Sequence, residues 1–94
     1  MMGKLQEMKQ KADEIKAQLD AVVLTSEGAG GDIKIEITGN RRIRSVVIAS
    51  ALQHGDKQEL EEQLTVALNR AIEAADKVNE EEMKKAASGM LPGL

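Results

Sequence analysis

Apolar residues open this chain at regular intervals: Leu5, Met8, Ala12, Ile15, Leu19 and Val22 are spaced alternately three and four apart. That spacing is the a/d seam of a helix that lies lengthwise against another helix. It predicts a helix over residues 3–22, a rod about 30 Å long at about 1.5 Å per residue. Polar residues fill nearly every other position, so the helix has one narrow apolar line and depends on whatever covers it.

The period then shortens. Val22-Val23-Leu24-Thr25-Ser26 is rich in β-branched residues and predicts a strand over about 22–27. Gly28-Ala29-Gly30-Gly31 follows as a turn. Ile33-Lys34-Ile35-Glu36-Ile37-Thr38 alternates apolar and polar, a half-buried strand over 32–38. Gly39-Asn40 supplies a two-residue hairpin turn, and a third strand returns over 42–49. Tight turns make these three an antiparallel meander with one buried face. By alternation Arg42 and Arg44 share a face with Val46 and Ile48. Asp56, with Glu59 three residues on, then opens a second helix over 56–87, its stripe being Leu60, Leu64, Ala67, Leu68, Ala71, Ala75 and Val78. The stripe breaks at Glu80-Glu81-Glu82 and resumes with Met83, Ala86, Ala87 and Met90. Ser88-Gly89 reads as a stop, leaving 88–94 as a flexible tail.

These lengths do not match. A seven-residue strand covers about 23 Å, while a thirty-residue helix covers about 45 Å. Both helices therefore overhang the sheet, and the simplest cover for their stripes is each other, as an antiparallel arm. The sheet's free edge and remaining apolar face invite a second copy, which gives a tweezer-like homodimer with two protruding arms. The expected fold is α+β, one domain over 1–87.

Composition narrows the chemistry. The 94 residues include no Phe, Tyr or Trp, so the core is aliphatic, and no Cys, which excludes disulfides and thiolate chemistry. No stretch has the length of a membrane span and no signal-peptide pattern opens the chain, so the expectation is a cytoplasmic protein without a membrane partner. His54, the one histidine, sits in a connection and reads as a solvated loop residue. Glu80, Glu81 and Glu82 are consecutive and fan out by about 100° each on a helix instead of converging on a metal. The Gly28–Gly31 run lacks the Lys-Ser/Thr and the following helix of a phosphate loop. No catalytic residue, metal, cofactor or small-molecule substrate is expected, and the chain does not read as an enzyme.

Charge remains. The net charge of −3 is uneven: residues 1–55 hold eight Lys/Arg against seven Asp/Glu, and 56–94 hold five against nine. Arg41, Arg42 and Arg44 cluster at the second hairpin, to bind phosphates or to solubilise the turn. Lys4 and Lys11 fall at g and Lys9 and Lys16 at e, bordering the seam, with Glu7, Asp13, Glu14 and Asp20 around the back. Such lysines either pair with acids of the neighbouring helix, here Glu73, Asp76 and Glu80, or face DNA. Antiparallel packing brings Lys84 and Lys85 toward Lys4 and Lys9 at the arm tip. Without aromatic rings to stack on bases, any nucleic-acid contact rests on phosphates and duplex shape. A second use of such arms, in another class, is to clamp a polypeptide as coiled-coil chaperones do, with Met2, Met8, Met83 and Met90 as adaptable contacts.

Several strings, in order, resemble the YbaB/EbfC family of nucleoid-associated proteins. They are Met8-Lys9-Gln10-Lys11, Glu27-Gly28-Ala29-Gly30-Gly31, Ile33-Lys34-Ile35-Glu36-Ile37-Thr38-Gly39, Val46-Val47-Ile48 and Ser88-Gly89-Met90-Leu91-Pro92-Gly93. The resemblance covers nearly the whole chain. It implies a small dimer with helical arms that binds double-stranded DNA at the nucleoid, with contacts mapping onto Lys4, Lys9, Lys11, Lys84 and Lys85. Two features depart from the family pattern: a Met-, Gly- and Asn-rich N-terminal extension is missing, and the second helix is strongly acidic.

Overall fold

The computed structural model describes residues 2–90. Their order is α1 (Met2–Ala21), β1 (Val23–Gly28), a 3-10 turn (Ala29–Gly31), β2 (Ile33–Thr38), β3 (Ile43–Ile48), a short α2 (Ser50–Gln53) and α3 (Lys57–Met90). The strands form one antiparallel sheet in the order β1-β2-β3. The architecture is α+β, as the periodicities indicate. α3 runs through Ser88 and Gly89 to Met90, past the expected stop, and the remainder of the expected tail, 91–94, lies outside the described residues. α2 falls in what the sequence presents as a plain connection; its N-cap, Ala49, makes no side-chain capping bond.

Alternation builds the core. Ile33, Ile35 and Ile37 point to the same side of β2 and are fully buried against Ala67, Ala71 and Ala75 of α3. Alanines at intervals of four form one smooth face of a helix, which lets α3 lie close on β1 and β2. They meet closely at Gly28, where a β-carbon would stand 2.7 Å from the Ala67 Cβ. Gly28→Ala is therefore expected to cost about 1–3 kcal/mol, seen as a lower urea midpoint at unchanged m-value. Asp56 starts α3 by accepting the Gln58 N–H at 2.9 Å through its side chain.

β3 differs from its expected form, and the cause is one residue in the turn. The loop is Gly39-Asn40-Arg41, closed by the Thr38 N–H donating to the Arg42 carbonyl at 2.8 Å and the Arg41 N–H to the Thr38 carbonyl at 3.0 Å. Arg41 takes the left-handed conformation, φ 66°, as the third position of such a loop requires. A bulge follows: Ser45 pairs with Glu36 and Ile43 with Ile37, so Arg44 is the extra residue. Ile43, Val46 and Ile48 thus pair with Ile37, Ile35 and Ile33 on the helix side of the sheet, and neither Arg42 nor Arg44 shares that face by pairing. α3 covers β1 and β2 but not β3, which leaves Ile43 and Val46 39% and 42% exposed.

The molecule is long. Its extents are 60 × 21 × 16 Å, with a radius of gyration of 17.9 Å, against about 12 Å for a compact chain of this size. The excess is the arm formed by α1 and the far half of α3.

Candidate nucleic-acid interface

The arm is antiparallel and only half zipped. Ile15 and Leu19 are buried, while Leu5 and Met8, earlier on the same seam, are 69% and 55% exposed, and Met83 of α3 is 45% exposed. Where the helices meet, Lys11, Glu14, Ile15 and Gln18 line a shallow cleft with Glu82, Lys85 and Ala86. Leu19 and Asn79 both reach Gly39, which sets the level of one helix against the other. At equal rise along both helices, Leu5 lies beyond the described end of α3. The heptad is real, but its partner helix accounts for only its second half.

Lys4, Lys9, Lys11 and Lys16 are exposed along α1, as are Lys84 and Lys85 on α3. Of the two uses open to the bordering lysines, pairing across the seam is not the one seen: among the described residues no α1 lysine meets an acid of α3. The ion pairs that form stay within a helix, Lys11 with Glu14 at 3.9 Å and Lys85 with Glu82 at 3.6 Å. Exposed pairs of this kind contribute about 0.3–0.5 kcal/mol, so they hold neither lysine back from a phosphate. The cleft brings Lys85 beside Lys11 and not, as expected, beside Lys4 and Lys9; Lys4 lies about two helical turns nearer the tip than Lys11.

The three arginines part company. Arg41 pairs with Asp76 of α3, one of the acids expected to meet an α1 lysine, and so ties the hairpin to the arm. Arg42 and Arg44 are exposed at the start of β3, near the root of the arm. Asn40 and Asn79, which bond to the helix and turn backbones at this root, carry no such signal in the sequence. An Asn after Gly in a turn predicts only the turn.

Among the described residues no three His, Cys, Asp or Glu side chains converge on a common point, and no helix is long and apolar enough to cross a membrane. What the surface offers is a rod bordered by cations, with an aliphatic sheet edge at its base.

Comparison with known proteins agrees with this geometry. The family model described as the YbaB/EbfC DNA-binding family matches residues 1–90. A nucleoid-associated protein of Flavobacterium johnsoniae is 42% identical over 94 residues, covering 100% of this chain and 88% of the relative. One from Chlorobium phaeovibrioides is 31% identical over 91 residues, covering 97% of this chain and 83% of the relative. The crystal structure of an uncharacterised protein from Helicobacter pylori superposes with a TM-score of 0.71 at 26% identity, covering 93% of this chain and 98% of that one. The family is described by what it binds and not by a reaction. This chain belongs to the YbaB/EbfC DNA-binding family.

Proposed function

We propose that the protein is a nucleoid-associated homodimer, acting in the cytoplasm, that holds double-stranded DNA between its two arms. The observation that carries this reading is the row of α1 lysines that border the seam without pairing across it. Lys4, Lys9, Lys11 and Lys16, with Lys84 and Lys85, contact phosphates; Arg42 and Arg44 add positive charge at the arm root. The eight acids of α3 keep the rest of its flank away from the duplex, so DNA approaches on the α1 side and meets α3 at Lys84 and Lys85. With no aromatic residue, recognition rests on backbone charge and duplex shape.

β3 supports the dimer. It is a free edge of the sheet, lined with β-branched residues and only partly covered on its helix side, and such an edge is a template for another strand. Pairing β3 with its symmetry mate covers Ile43 and Val46 in one isologous contact and sets the two arms on a common base.

For a dimer that neutralises about four to eight phosphates, log affinity falls against log salt with a slope of roughly −4 to −7. A titration from low to moderate salt measures it directly, and an affinity indifferent to salt contradicts the mechanism.

A second reading draws on Leu5, Met8 and Met83, exposed apolar residues of the arm among those described; the side chains of Met2 and Met90 lie outside the described ones. In it the arms clamp a polypeptide, and cations matter little.

A further inference from the structure

We propose that the turn between β2 and β3 is a strut that sets the direction of the arm, with Asn40, Arg41 and Asp76 as positioning residues. The turn sits where sheet, α1 and α3 converge, and it is bonded to all three. The Asn40 side-chain amide donates to the Lys16 carbonyl at 2.8 Å and to Asp20 Oδ1 at 2.5 Å, both on α1. The Gly39 N–H is shared between the carbonyls of Leu19, at 3.0 Å, and Val22, at 3.1 Å. On the other side, Arg41 reaches Asp76 and the Asn79 amide donates to the Gly39 carbonyl at 3.4 Å, both from α3. A β-carbon at Gly39 would crowd α1, standing 2.8 Å from Leu19 Cδ2 and 3.0 Å from the Leu19 carbonyl oxygen.

Two features separate a strut from an ordinary hairpin. Arg41 adopts φ 66°, a conformation that costs an L-residue with a bulky side chain, in a turn where Asn40 is the residue better suited to it. That arrangement places Asn40 over α1 and Arg41 over α3. Moreover, among the described residues the buried side chains of α1 are Ile15 and Leu19, Leu19 against the turn and Ile15 one helical turn further along the arm. The bonds from Gly39 and Asn40 thus act where α1 is anchored, and the rest of the rod is a lever beyond that anchor. The turn also leads directly into β3, so the strut links the proposed dimer edge to the arms. Its consequence for DNA rests on the function proposed above; its mechanical role does not.

Hydrogen exchange followed by mass spectrometry on the full chain, with Asn40→Ala and Asp76→Asn beside the unaltered protein, tests the mechanical role. Asn40→Ala is expected to speed exchange in the second half of α1 about tenfold while leaving residues 33–37 unchanged. Faster exchange confined to the turn itself, or none at all, overturns the strut. Asp76→Asn then separates positioning from direct phosphate binding on a labelled duplex. It removes a negative charge and frees Arg41, so if Arg41 touches phosphate directly, binding tightens. A strut predicts the opposite, a several-fold weakening at unchanged salt slope, since the same phosphates are still neutralised. Tighter binding by Asp76→Asn overturns the positioning role. If the unaltered protein binds no duplex at all, the proposed function fails, and the exchange experiment still decides the strut.

Discussion

Exchanging Lys9 and Lys11 for Glu is expected to lower affinity for duplex DNA at least about a hundredfold at roughly 0.1 M salt. In the proposed dimer this makes four reversed charges along the arms. Each phosphate left without its lysine keeps about 0.9 of a counterion that binding would otherwise release, which at that salt is worth up to about tenfold in affinity. Repulsion from the new carboxylates adds to the effect. The salt slope should flatten by about three to four units, which identifies the cause as phosphates no longer neutralised. Folding is not at stake: both lysines are exposed, and the ion pair that Lys11 makes is with Glu14 on its own helix. An unchanged thermal melt beside the anisotropy titration checks this. If the arms instead clamp polypeptide, the double substitution leaves capture of an unfolded client unaltered.

The second large effect concerns the base of the tweezers. Val46→Asp places a carboxylate on the partly covered helix side of β3, and the twofold axis of the proposed dimer would bring two of them into one interface. Burying an unpaired carboxylate there costs several kcal/mol, so the dimer should dissociate. The single chain should stay folded, because Val46 is 42% exposed within it and lies outside the buried core. Sedimentation equilibrium at micromolar concentration is expected to give twice the chain mass of 10.2 kDa for the unaltered protein and the single mass for Val46→Asp. DNA affinity should fall about a hundredfold with the loss of two-armed binding. A monomeric mass for the unaltered protein contradicts the tweezer arrangement.

Which of these features the sequence could reveal depends on how local their causes are. The alternation of Ile33, Ile35 and Ile37 and the four-residue spacing of Ala67, Ala71 and Ala75 are strong periodic signals, and those six residues form the core. The hairpin is a weaker case. Gly39-Asn40 suggests a two-residue turn, but the structure uses three and puts the left-handed position on Arg41. One extra residue and a bulge are enough to change which side chains of β3 share the helix side. Nothing in the local sequence marks Arg41 for that conformation; its partner Asp76 stands 35 residues away.

The seam shows the same limit. Leu5 and Met8 satisfy the heptad as well as Ile15 and Leu19 do, yet only the latter are buried. A heptad states that a partner helix fits but not how far that helix runs. For the candidate interface, the sequence places the lysines beside the seam and the structure keeps them exposed there. Their ion partners are harder to anticipate. Glu14 and Glu82 lie three residues from Lys11 and Lys85 on the same helices, and a neighbour on the same helix costs less ordering of side chains than one across the seam.

Fluorescence anisotropy of a labelled duplex of about 30 base pairs, with unlabelled single strand as competitor, decides whether the arms hold double-stranded DNA by its phosphates. Between 50 and 200 mM salt, a slope of roughly −4 to −7 lowers affinity by roughly 10² to 10⁴. Duplex clamping predicts that fall, together with binding that a single strand of equal length fails to displace. Affinity that ignores salt, equal competition by single strand, or no binding at about 50 mM salt and tens of micromolar protein contradicts it.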